Sequence, residues 1–132
     1  MHRRYLSSLT KRTKNGSGRG LGKRQKLVKR GEIWLVTLDP TVGSEIKKAR
    51  PCLVVSPPEI HDYLRTAIIA PMTTKGFTAP FRIPVRHAGK SGLILLDQIR
   101  AVDKTRLSKR LGRVGPVTLS AVLAALVEAF AE

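Results

Sequence analysis

Along the 132 residues, apolar side chains come in short clusters separated by proline, glycine and charge. Residues 33–38 (IWLVTL) and 52–55 (CLVV) are rich in β-branched and aromatic side chains and bounded by turn residues, which predicts two strands. Asp39-Pro40 closes the first and Pro57-Pro58 the second. One helical turn is expected over residues 59–64 and a central strand over 66–72 (TAIIAPM). Pro71 has no N–H for a ladder, so a bulge or the strand's end is expected there. Residues 77–85 form a weaker strand that Pro80 and Pro84 assign to a sheet edge, followed by a turn over 87–91 around Gly89. Residues 93–102 read as one or two strands around Asp97-Gln98. Residues 104–113, half of them basic, read as a short helix and loop. The last element is a helix: Val117, Leu119, Val122, Leu123, Leu126, Val127 and Phe130 recur at three- and four-residue steps. Gly115-Pro116 suits its start, with proline at the first helical position. Its other face is mostly alanine, which favours packing on both sides. Its apolar run is shorter than the roughly 20 residues of a membrane span. Many short strands and one terminal helix give a mainly β fold with α (α+β), a small curled sheet.

The N-terminal stretch shows no such pattern. Of 25 Lys and Arg, 11 fall in residues 1–30, which hold no acid; the whole chain carries a formal +16. A segment this polar buries too little surface to offset its ordering entropy. Residues 1–28 are therefore expected to be a disordered basic arm, followed by one domain over 29–132. The arm lacks the apolar core of a secretory signal. The charge favours a polyanionic partner, nucleic acid or acidic protein, and is silent on catalysis. Cys52 is the only cysteine, so no internal disulfide can form. A reducing compartment is the default, with Cys52 as a small core residue. No CxxC or HExxH spacing is present, and neither metal nor cofactor is expected.

One polar stretch interrupts the strands in a way that suits chemistry. Gly43, Ser44, Glu45, Lys47 and Lys48 lead into Arg50-Pro51. A proline pushes the residue before it toward an extended conformation, so Arg50 stands stiffly at the mouth of the second strand. A guanidinium there beside two lysines suits a phosphate. The plainer alternative is a surface ion pair between Arg50 and Glu45.

RGEIWLVTLDPTVGSE followed by ARPCLVVS, then TAIIAPMTT, GLILLDQIRAVDK and RLSKRLG, occur in this order. Together they resemble the MazF/PemK/Kid family of toxin ribonucleases from bacterial toxin–antitoxin pairs. The resemblance covers roughly residues 29–131. It implies an SH3-like small β-barrel with a C-terminal helix, a homodimer in the cytoplasm, and a cognate acidic antitoxin. It also implies sequence-specific, metal-independent cleavage of single-stranded RNA. There the 2′-hydroxyl attacks the neighbouring phosphate, leaving a 2′,3′-cyclic phosphate and a 5′-hydroxyl.

Carried over residue by residue, Arg50 matches the family's catalytic arginine and Thr73 its catalytic threonine. Arg50 is read first as a charge stabiliser, because a guanidinium stays protonated. Thr73 alone would read as a turn-capping hydroxyl. Glu45 is the candidate acceptor of the 2′-hydroxyl proton. Asp97 matches an aspartate assigned to catalysis in the Kid branch, but two departures weaken that match. Leu95 stands where Kid-like members have arginine, and Ser44 where they have histidine. The Arg50–Thr73 scheme is preferred, with Asp97 and Gln98 contacting bases and no clear general base. Ser44, Lys47, Lys48, Thr74, Lys75, Arg82 and Gln98 are the expected RNA contacts. Aromatics are only 5% of the chain, leaving Trp34, Tyr63, Phe77 and Phe81 as stacking candidates, with Trp34 better suited to the core. Two other classes compete: a CcdB-type gyrase-poisoning toxin, and a non-catalytic basic SH3-like RNA-binding module. The RP and IAPMT blocks favour the nuclease.

Overall fold

The computed structural model describes residues 27–38 and 49–132. Its strands are β1 (Glu32–Thr37), β2 (Ala49–Val54), β3 (Thr66–Thr73), β4 (Arg82–His87), β5 (Lys90–Leu95), β6 (Arg100–Asp103) and β7 (Leu107–Arg113). A one-turn helix α1 (Pro58–His61) precedes β3, and the long helix α2 (Pro116–Ala129) ends the fold. Pairing is antiparallel in the order β4-β5-β3-β2-β1-β7, with β6 also on β3. The small barrel expected from the sequence is this curled sheet, with β4 and β7 at its edges.

Period-two alternation gives the sheet two buried faces. On one side Ile33, Leu53, Ala70, Met72 and Ile94 pack with Val122, while Leu119 and Leu126 of α2 join from the helix. On the other, Trp34, Val36, Cys52, Val54, Ile69, Val102 and Leu107 form a second cluster with Val28. Val28 is 4% exposed, so the packed chain reaches one residue into the stretch assigned to the basic arm. The rest of that arm, residues 1–26, lies outside the described residues.

β3 runs through Pro71, and its partner changes there. Up to Ile69 it pairs with β6, and from Met72 with β5. A residue without a donor fits where one ladder stops and another starts. Residues 93–102 split into two strands around the 3₁₀ turn Leu96–Gln98. The β4–β5 connection is a two-residue hairpin, Ala88-Gly89, with φ of +54° and +78°. Two positive φ values are what the tight right-twisting hairpin turn needs.

Two expectations fail. Residues 77–81 are not strand; apart from a bridge between Ala79 and Arg82, β4 starts only at Arg82. Pro80 has no N–H for a ladder and sits in the turn just before β4, whereas Pro84 is tolerated inside that edge strand. Residues 104–113 are not a helix and loop but a 3₁₀ turn, Lys104–Arg106, and the edge strand β7. There Leu107 is buried, while Ser108, Lys109 and Arg110 are exposed. An edge strand tolerates such charge, and two register shifts against β1 break its alternation. α2 starts as expected, with Gly115 as N-cap and Pro116 in its first turn. Its apolar residues are less buried than their spacing implies: Val122 is enclosed, whereas Val117, Val127 and Phe130 are exposed.

Candidate active site

β2 and β3 bring the site together. Cys52 faces Pro71 in their antiparallel register, and Arg50 and Thr73 each lie two residues beyond that pair, at the same end of the two strands. Both lie on the face whose interior holds Cys52 and Ile69, at the point where it opens to solvent.

Two clefts meet at this pair. One, of about 860 Å³, is lined by Arg50, Thr73, Thr74, Lys75, His87 and Lys90, among others. The second, of about 620 Å³, is lined by Arg50, Thr73 and Lys75 again, with Arg82, Gln98 and Arg100. Arg50, Thr73 and Lys75 are thus the shared ridge. Arg50 is exposed, and its guanidinium makes no hydrogen bond or ion pair among the described residues. The Thr73 hydroxyl accepts from the Lys75 backbone N–H at 3.1 Å. That is the turn-capping role, and it leaves the hydroxyl's own proton to donate outward. Thr73 owes its placement to Gly92: a Cβ on Gly92 would sit 2.5 Å from the Thr73 carbonyl oxygen.

Asp97 lies elsewhere. It is absent from the walls of both clefts and is gripped bidentately by Arg82, with Nε to Oδ1 at 3.2 Å and Nη2 to Oδ2 at 3.1 Å. Those bonds hold its carboxyl below the usual carboxylate range. It is therefore an ionised partner for Arg82 and a poor proton donor. The Arg82 guanidinium also lies against the Phe77 ring, 5.3 Å from its centroid. Of the expected RNA contacts, Thr74, Lys75, Arg82 and Gln98 line the clefts. Ser44, Lys47, Lys48 and the candidate base Glu45 fall outside the described residues.

The sequence reading missed His87, Lys90 and Arg100. His87 and Lys90 are a register pair closing the Ala88-Gly89 hairpin, and the turn signal at Gly89 was the one available clue. Arg100 opens β6 opposite Ile69, a placement no local pattern encodes. Among the described residues no group of His, Cys, Asp and Glu could hold a metal ion, and no helix is long and apolar enough to cross a membrane.

The family described as PemK-like, MazF-like toxin of type II toxin–antitoxin systems matches residues 29–130. This chain belongs to that family. Among curated relatives, endoribonuclease PemK of Escherichia coli is 38% identical over 122 residues, covering 86% of this chain and 92% of that one. Endoribonuclease EndoA of Bacillus subtilis is 35% identical over 91 residues, covering 64% and 78%. Among solved structures, MazF of Deinococcus radiodurans superposes with a TM-score of 0.66 at 25% identity, over 80% of this chain and 97% of that one. A mycobacterial endoribonuclease in complex with its cognate antitoxin gives a TM-score of 0.67 at 24% identity, over 78% and 94%. The curled sheet with its C-terminal helix is the fold these PemK/MazF toxins share.

Proposed function

We propose that this toxin cuts single-stranded RNA at specific sequences without a metal, using Arg50 and Thr73. That it is an endoribonuclease follows from its family and from curated relatives named for that activity. The observation carrying the mechanism is that Arg50 and Thr73 both line each of two basic clefts that meet. The RNA brings its own nucleophile. As the 2′-oxygen bonds to phosphorus, its proton leaves and negative charge gathers on the equatorial oxygens. Arg50, with no other partner among the described residues, receives two of them in its fork. The Thr73 hydroxyl, its oxygen already held by the Lys75 N–H, donates to a phosphate oxygen. The bond to the 5′-oxygen breaks, and that oxygen takes up a proton, giving a cyclic phosphate and a 5′-hydroxyl. Glu45 remains the candidate acceptor of the 2′-hydroxyl proton. Asp97 acts through Arg82 and not on the reacting atoms. Lys75, Lys90 and Arg100 carry the phosphates on either side.

The same basic ridge suits an acidic antitoxin segment that covers it; solved relatives include such toxin–antitoxin complexes. The exposed Val117, Val127 and Phe130 of α2 favour a homodimer. One preparation tests the whole reading. RNA is incubated with protein in EDTA, the ends are mapped, and mass is read by light scattering. Cleavage with cyclic-phosphate ends by a dimer is expected. Arg50→Ala should lower the rate about 10²–10³-fold while remaining folded, and Thr73→Ala should also lower it strongly. A folded Arg50→Ala protein at wild-type rate removes Arg50 from the mechanism, and a monomer removes the dimer.

A further inference from the structure

Phe77 is the exposed aromatic beside the clefts; Phe130, equally exposed, lies at the end of α2. Trp34 is buried at 8% exposure and Phe81 packs against the core, but the Phe77 ring is 75% exposed. It belongs to no strand or helix; it follows Gly76, whose φ of +114° turns the chain out of the end of β3. An apolar ring in such a position gains nothing from burial, yet it is not loosely placed. The Arg82 guanidinium supports it from below at 5.3 Å. Arg82 in turn is 20% exposed and fixed by both oxygens of Asp97. Gly76 and Arg82, the ring's neighbours in chain and space, line the cleft that runs to Arg50 and Thr73, and so does Gln98 beside Asp97.

We infer that Phe77 is a stacking platform for one nucleobase of the RNA, next to the scissile phosphate, and that the Asp97–Arg82 pair is the brace that presents it. This rests on the nucleolytic reading above. A base laid on the free face of the ring stacks without regard to its identity. Discrimination then falls to edge contacts, and the Gln98 amide, carrying both a donor and an acceptor, stands on the same cleft. Asp97 matters here without touching the reaction: with its charge removed, Arg82 loses its anchor and the ring its support.

The test uses a short RNA that the protein cuts, and the same RNA with a 2′-deoxy nucleotide at the cleavage position, which binds without reacting. Phe77→Leu keeps an apolar side chain of similar bulk but no ring, while Phe77→Tyr and Phe77→Trp keep the stacking face. Binding by Phe77→Leu should weaken about 10- to 100-fold, the worth of one stacked base, with the tyrosine and tryptophan variants near wild type. Thermal stability should stay unchanged across the set, since the ring is exposed. An abasic nucleotide at one position should weaken wild type by the same factor and leave Phe77→Leu unaffected. Asp97→Asn should give a smaller loss in binding. Equal binding by Phe77→Leu and wild type, with RNA still cut, overturns this inference alone, and antitoxin inhibition weakened in that variant would instead assign the ring to the protein partner. A wild-type protein that binds the deoxy-substituted RNA through Phe77 but cuts nothing overturns only the nucleolytic reading. A protein that does neither overturns both.

Discussion

At Gly92 the absence of a side chain places the threonine proposed to act on the phosphate. β5 crosses the end of β3 so closely that any Cβ at this position would lie 2.5 Å from the Thr73 carbonyl oxygen and 3.3 Å from its carbon. Backbone atoms cannot turn aside as a flexible side chain does, so an alanine here must push the two strands apart. The displacement would fall on Thr73 and, through the β2–β3 register, on its distance from Arg50. Gly92→Ala should fold with a lowered melting temperature and cut RNA at least about tenfold more slowly, since misplacement by an ångström is costly in catalysis. Wild-type rates in this variant would show that the strand crossing does not position Thr73. Residue by residue, the site was legible only where a motif carried it. Arg50 announces itself by the proline after it. Thr73 has no local mark, and its place at the same end of the sheet as Arg50 comes from the pairing of β2 with β3. Lys90 and Arg100 reach the clefts through pairing alone, which leaves no trace in residue order.

Among the elements, the strands that carry β-branched apolar runs were readable, and the polar edge strand was not. LSKRLGR, β7, encloses only Leu107; its strand conformation comes from hydrogen bonds to β1, a tertiary contact that overrides local propensity. The short helix α1 shows the reverse, a weak local element secured by buried polar groups. The Ser56 hydroxyl accepts from the Ile68 N–H at 3.1 Å and lies 2.8 Å from Nδ1 of His61. Which of the two donates depends on the ring's tautomer; Nε2 has no hydrogen-bond partner among the described residues and lies 3.8 Å from Oδ1 of Asp62. Lys104 donates its ammonium to the His61 carbonyl. Burial lowers the His61 pKa from its ordinary 6.5, and the nearby Lys104 and Arg30 charges add to that. At Glu32, burial would raise the carboxyl. Hydrogen bonds from the Trp34 indole and the Lys29 amide, and the Arg110 guanidinium at 2.8 Å, outweigh it and leave the pKa below 4.5. Both groups have depressed folded-state values, so both contribute stability above their unfolded values and lose it as pH falls. The urea midpoint should be flat from about pH 6.5 to 8, decline below 6.5 as His61 is forced to charge, and decline again below about 4.5 as Glu32 is protonated. In His61→Gln the first decline should shrink while the second persists; an unaltered profile would remove His61 from the transition.

For the molecule as a whole, the sheet is buried on both faces, and the ridge of Arg50, Thr73 and Lys75 sits where the face opposite α2 reaches solvent. Cys52 lies just inside that opening. It is fully buried on β2, between Trp34 of β1 and Pro71 of β3. Burial pushes its thiol up to about 12, against the pull of Arg50 and Arg100. The thiolate is the form that attacks a disulfide reagent, so in the closed sheet Cys52 is both out of reach and in the wrong protonation state. Its modification must then wait for the central strands to part, which turns the lone sulfur into a clock for opening of the fold. Labelling by a disulfide reagent at pH 8 should be slow in native buffer and accelerate with urea in step with Trp34 fluorescence. Prompt labelling of a protein whose indole signal has not moved would mean that β2 separates from its neighbours while the rest holds. The same measurement on RNA-bound protein reads how firmly a ligand on the ridge fastens the strands beneath it, with no residue substituted to carry the probe.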